Sequence, residues 1–235
     1  MAKRHPVVSG KEWLAARRKL LAKEKAFTRS GDKLAAARRA LPWQAVEKPY
    51  QFEGRDGRQT LAELFDGRSQ LIVYHFMFGR GWDAGCPSCS RWADSFDGAI
   101  VHLNHRDVTM VAVSRAPYAD LAAYHKRMGW RFKWLSSSGS DFNFDFNVSF
   151  TPAEVKRKKA LYNFVEQDPF VAEREGVSVF FKNAKGKLFR TYSTYARGID
   201  AFCVDDQYLD VVPKGRDEPK GNPQAWVRRH DEYDK

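Results

Sequence analysis

The chain has 235 residues, 43% hydrophobic and 14% aromatic, enough for one substantial core, and no stretch approaches the roughly 18 apolar residues of a membrane span. Three cysteines are too few to staple a fold of this size, which excludes a disulfide framework and favours thiols kept reduced. Of the formal charge of +11, residues 1–50 hold 13 Lys or Arg against 4 Asp or Glu, which is +9 and leaves +2 for the remainder, so any polyanion affinity belongs to the N-terminal segment and no specific nucleic-acid binding is expected.

Met1 to Pro6 run into charged amphipathic sequence without the apolar core and cleavage site of a secretory signal; the expected location is the cytoplasm, with no membrane attachment. Ser9 and Glu12 have capping-box spacing, and Trp13, Leu14, Leu20, Leu21 and Phe27 recur at helical period up to Ser30-Gly31. A shorter helix is expected from Asp32 to Leu41, stopped by Pro42. Residues 1–47 therefore form a helical arm, packed on the domain or on a second copy in a homodimer.

From Tyr50 the pattern changes to a hairpin (Tyr50 to Thr60, turn at Asp56-Gly57), then a helix-like Leu61 to Phe65. Leu71 to Phe78 is a continuous apolar run suited to a central strand, and Val108 to Ser114 is a second strand rich in β-branched residues. Pro117 to Met128 reads as a helix stopped at Gly129. The order strand, helix, strand, helix implies parallel strands with right-handed crossovers. Arg131 to Ser138 is expected to be strand and loop, Ser140 to Phe150 is irregular, and Thr151 to Glu166 is expected to be helical. Val177 to Lys182 and Leu188 to Ser193 flank Asn183-Ala184-Lys185-Gly186 and predict an antiparallel hairpin. The division is arm 1–47, α/β domain 48–212 and a charged tail 213–235 whose three prolines suggest partial disorder.

Cys86-Pro87-Ser88-Cys89 carries the chemistry. A cysteine in the first turn of a helix meets unsatisfied amides and the positive end of the helix dipole, which favour its thiolate, the reactive form. Cys89 lies three residues on, about 5 Å away by helix geometry, within reach of a disulfide. Pro87 suits the first turn and restricts the loop, while Ser88 adds no charge. A zinc quartet with His102 and His105 is disfavoured, because two residues between the histidines are fewer than usual and Trp92, Phe96, Ile100 and Leu103 predict a core-facing helix between the pairs. Asp83 and Asp94 flank the dithiol as candidate proton carriers, with loop solvation and capping as ordinary alternatives. Trp82 is a candidate apolar contact for substrate or a core residue; His75 reads as a core histidine and Cys203 as a small buried hydrophobe.

Longer motifs then come into view: Phe76-Met77-Phe78-Gly79, Gly85 to Ser90, Val113 to Pro117, Arg127 to Trp130, Ser140 to Asn143 and Thr191 to Gly198. Together they resemble a bacterial thioredoxin-like family of predicted dithiol-disulfide oxidoreductases, carried as a domain of unknown function. The resemblance implies an α/β, thioredoxin-like three-layer fold with a central mixed sheet, and places Cys86 and Cys89 at the redox position. It departs from standard thioredoxins at Glu175-Gly176-Val177-Ser178, where the proline that faces their dithiol is missing. Arg115, Asp141 and Asn143 stand in segments that either shape a pocket or make structural turns.

The expected function is a thiol-disulfide oxidoreductase with Cys86 as nucleophile and Cys89 as resolving thiol, needing no bound cofactor or metal. It acts on a disulfide-containing protein or a small thiol substrate and is recycled by an unidentified reductant. The alternatives are a peroxiredoxin-like thiol peroxidase, with Arg115 assisting the oxyanion, and a non-catalytic metal-binding or interaction module.

Overall fold

A computed structural model describes residues 5–233. It divides into two compact units at Pro42. The first contains one helix, α1 (Gly10–Arg39), opened by the expected Ser9/Glu12 capping box. It runs unbroken through Ser30-Gly31, where two helices were expected. One glycine costs a helix interior only about 1 kcal/mol relative to alanine, and the Ser30 hydroxyl bonds back to the Ala26 carbonyl at 3.0 Å instead of capping a new helix.

The second unit is built on an eight-stranded mixed sheet. Its strands are β1 (Gln44–Ala45), β2 (Gln51–Gly54), β3 (Gly57–Thr60), β4 (Gln70–His75), β5 (Val108–Ser114), β6 (Lys133–Ser136), β9 (Gly176–Lys182) and β10 (Leu188–Tyr195), in the order β1-β10-β9-β4-β5-β6-β2-β3. A separate hairpin pairs β7 (Ala160–Tyr162) with β8 (Val165–Gln167). β4 is parallel to β5 and β5 to β6, whereas β9 runs antiparallel to β4 and β10 to β9. This is a thioredoxin-like arrangement, a parallel half joined at its central strand to a late hairpin.

Strand alternation gives the sheet two buried faces. Leu71, Val73, Val111 and Val113 point to one, under a 3₁₀ turn (Glu63–Phe65) and the short helix α5 (Phe142–Asp145). Tyr74, Phe76 and Ala112 point to the other, under α2 (Pro87–Asp97) and α4 (Tyr118–Met128). Helices on both faces make three layers. A further helix, α3 (Ile100–His105), follows α2 after Gly98-Ala99, so the single helix expected between the cysteines and the histidines is two.

Thr151 to Glu166 also departs from expectation. Its capping box starts α6 (Pro152–Arg157), but Lys158 at φ 55° closes it after six residues, and Asn163-Phe164, both at positive φ, turn the β7–β8 hairpin. A type I′ turn needs two such residues, and Asn-Phe lacks the glycine that would have announced it. The tail, read as loose, is anchored as far as residue 233: after α7 (Val204–Leu209), Val227 is buried and Arg127 pairs with Asp231 and Glu232. Its prolines and charges signalled solvent, while a few long-range ion pairs and one buried valine hold it down.

Among the described residues, no helix is long and apolar enough to cross a membrane.

Candidate redox site

Cys86 is the N-cap residue of α2, with Pro87 in the first turn and the Ser90 amide donating to the Cys86 carbonyl at 2.9 Å. The neutral thiol makes no side-chain capping bond. As a thiolate it occupies the position where a capping oxygen would sit, and it gathers the Cys89 thiol proton and the Cys89 and Ser88 amides. The Cys89 thiol contributes most, and together these donors outweigh burial and bring Cys86 down to about 7. Cys89 is 2% exposed. Burial, followed by the neighbouring Cys86 sulfur, drives its thiol well above the ordinary range, against the smaller opposing effect of a hydrogen bond from the Tyr74 hydroxyl.

The loop before α2 leaves no room for a side chain at residue 85. A Cβ on Gly85 would stand 2.6 Å from Phe76 Cε1 and 2.9 Å from Tyr124 Cε1. The Gly85 carbonyl accepts from Arg229, at 2.8 Å from Nη2 and 3.2 Å from Nε. His230 Nδ1 lies 2.8 Å from Asp94 Oδ1, which also accepts from Trp130 Nε1 at 2.6 Å, and the Arg91 guanidinium lies over the Trp226 ring. The tail is thus strapped across the base of the dithiol helix.

A cavity of about 390 Å³ opens at the dithiol. Cys86, Ser88, Cys89 and Trp92 supply one wall, Tyr74 and Met77 the floor, and Val171, Arg174 and Glu175 another wall. Arg197, Ile199 and Asp200, from the 3₁₀ turn Ala196–Phe202, and Gln224 from the tail complete it.

Of the residues singled out in the sequence, Cys86, Ser88 and Cys89 come together at this cavity, with Pro87 setting the turn. The others stand apart from its lining. Trp82 is half-buried with its indole against Gly79, and Asp83 is exposed. Arg115 pairs with Glu173 at 3.1 Å and lies over Phe144, and Glu173, buried and pushed up to about 7, also accepts from Ser149. Asp141 pairs with Lys48 at 2.8 Å, and Asn143 is buried, accepting from Ser137 Oγ. Asp94 is engaged by Trp130 and the tail. His75 is a core histidine bonded to Ser178 at 2.9 Å and brought down to about 3 by burial. Cys203 is buried, and its thiol, pushed up to about 12 chiefly by burial, donates to Asp205. Among the described residues, the group of three or more potential metal ligands is Cys203, Asp205 and Asp206, the two carboxylates being bound by Arg91.

Sequence reasoning passed over Tyr74, Arg174, Glu175, Arg197 and Asp200 as site residues. Tyr74 carried a signal, a hydroxyl on the dithiol-side face of a buried strand, which needs a polar partner. Glu175 stood in the stretch noted for its missing proline.

The fold and the helix-start dithiol define a thioredoxin-like protein. Residues 2–233 match the family described as "Bacterial protein of unknown function (DUF899)", and the chain belongs to it. No curated protein matches the sequence. Among solved structures, the chain is similar to the peroxidoxin BcpB of Mycobacterium tuberculosis (11% identity, 70% of this chain and 94% of that one, TM-score 0.46). It is similar at the same identity and TM-score to a PrxQ mutant of Xylella fastidiosa, over 71% of this chain and 94% of that one. The mitochondrial 2-Cys peroxiredoxin of Plasmodium falciparum matches at 15% identity over 72% of this chain and 93% of that one, with TM-score 0.43.

Proposed function

We infer that the protein is a thiol-disulfide oxidoreductase in which Cys86 attacks and Cys89 resolves. The observation that carries this is the asymmetry of the pair: a half-buried Cys86 at a helix start, its thiolate favoured and facing a cavity, with a buried, proton-retaining Cys89 one turn deeper. The Cys86 thiolate attacks one sulfur of a substrate disulfide, whose S–S bond breaks to release one thiolate. Cys89 then loses its proton and attacks the Cys86 sulfur, releasing the second thiolate. The released thiolates take up protons, so the substrate gains two electrons and the dithiol becomes a Cys86–Cys89 disulfide. An external thiol reductant restores it.

Arg115, the group expected to assist a peroxide oxyanion, is held by Glu173 and does not line the cavity, so the peroxidase alternative would have to draw on Arg174 or Arg197 instead. Two variants test the assignment. Cys89→Ser is expected to trap mixed disulfides with partners and to keep a fast-alkylating thiol, whereas a folded Cys86→Ser loses both, as read by mass spectrometry. Trapping only through Cys89 would reverse the roles. Stoichiometric peroxide consumption faster than disulfide reduction would favour the peroxidase, and bound metal in protein purified under reducing conditions would favour the metal-binding module.

A further inference from the structure

The walls of the dithiol cavity carry opposite charges in pairs, which bears on the substrate. We propose that the substrate is a small disulfide of an amino-acid or short-peptide thiol, bearing both ammonium and carboxylate groups, and not a disulfide displayed on a protein surface. This rests on the oxidoreductase assignment above and narrows it.

Size is the first argument. About 390 Å³ falls at the lower end of small-molecule sites, which span about 300–1,000 Å³. The sulfur that must be reached is half-buried, and the recess above it is walled by four separate segments, α2, the loop carrying Val171 to Glu175, the 3₁₀ turn after β10, and the tail. A folded protein would have to seat its disulfide among all four.

Charge is the second. Arg174 and Glu175, side chains about one-fifth exposed, form an inner pair at 3.6 Å, too long for a direct hydrogen bond. Arg197, 87% exposed, and Asp200, 27% exposed, form an outer pair at 2.9 Å. Two cations and two anions cancel, so apart from the Cys86 thiolate, whose charge any attacking thiolate such as that of dithiothreitol shares, the walls give no net attraction to a purely anionic or purely cationic ligand. A zwitterionic one finds a complement for each group. The loose inner pair has bonding capacity left to offer, Arg174 donating otherwise to the Pro169 carbonyl and Glu175 accepting from Tyr162. Met77, Val171 and Ile199 provide apolar contact for the methylene and sulfur atoms between the charged ends.

The chemistry is the exchange already written: one small disulfide and the reduced dithiol give two small thiols and the Cys86–Cys89 disulfide, with an external dithiol reductant closing the cycle.

Four small disulfides of similar length separate the outcomes: zwitterionic homocystine, dianionic dithiodipropionate, dicationic cystamine and neutral 2-hydroxyethyl disulfide, with insulin as the protein disulfide. Oxidation of the reduced full-length protein is followed by intrinsic fluorescence, each rate divided by that of free dithiothreitol with the same probe so that leaving-group differences cancel. Homocystine is expected to exceed the other small probes and insulin by about threefold or more, the scale of one or two partly exposed ion pairs. Arg197→Ser, which leaves Asp200 unopposed, is expected to raise the cystamine-to-dithiodipropionate rate ratio about threefold, and Asp200→Ser to lower it by a similar factor. Equal normalised rates for all four small probes, faster reaction with insulin, or ratios unmoved by both rim variants would overturn the substrate class while leaving the dithiol chemistry standing. Failure of every disulfide to oxidise the dithiol would overturn the oxidoreductase assignment itself, and the substrate class with it.

Discussion

Cys86 and Cys89 have the same side chain and opposite surroundings, and the difference sets a pH profile. Because the thiolate is the nucleophile, alkylation of Cys86 is slow where its sulfur is protonated and rises as pH climbs through its lowered value of about 7, levelling off where an ordinary thiol near 9 is still gaining. Since the Cys89 thiol is the largest stabiliser of that thiolate, Cys89→Ala is expected to move the midpoint upward, while Cys89→Ser keeps a donor and moves it less. Iodoacetamide rates between pH 5 and 10 measure both shifts. An unchanged midpoint in Cys89→Ala would mean that the helix amides alone hold the thiolate. The place of Cys86 at a helix start was legible in the sequence because a proline one residue on suits a first helical turn. The Tyr74 hydroxyl beside Cys89 was not, because its role depends on how α2 crosses β4, a tertiary fact.

At the scale of elements, the hairpin β2–β3, the parallel pair β4–β5, the helix α4 and the late hairpin β9–β10 were legible because periodicity and turn residues agree at each. The failures came where one strong local signal misled. A Ser-Gly pair suggested a break that α1 absorbs, and a capping box suggested a long helix that Lys158 ends. The cavity walls escaped the sequence because they come from positions 74 to 224, brought together only by the sheet order. The loop from β4 to α2 yields a prediction of its own. In Gly85→Ala the new methyl meets two aromatic rings that are themselves buried, so either the rings or the dithiol loop must shift. The cost is expected to be about 1–3 kcal/mol, the range for overpacking. Urea unfolding of the reduced variant measures it, and a stability equal to wild type would show that the loop yields freely.

For the whole molecule, the two units divide the labour unequally. Every residue lining the dithiol cavity belongs to the unit from Trp43 onward, whereas residues 1–50 hold most of the excess positive charge. Removing residues 1–42 is therefore expected to leave the alkylation rate of Cys86 unchanged while altering stability or assembly, as read by thermal unfolding and sedimentation. A folded truncation that loses thiol reactivity would tie the arm to the chemistry.

The strap from the tail also sets an order in time. The Gly85 carbonyl and the Arg229 guanidinium that holds it are 144 residues apart. A ribosome adding about 5–20 residues per second needs on the order of 7–30 seconds between them. The dithiol sequence therefore leaves the ribosome long before its clamp, so both thiols are exposed to the redox poise of the compartment before the cavity is complete.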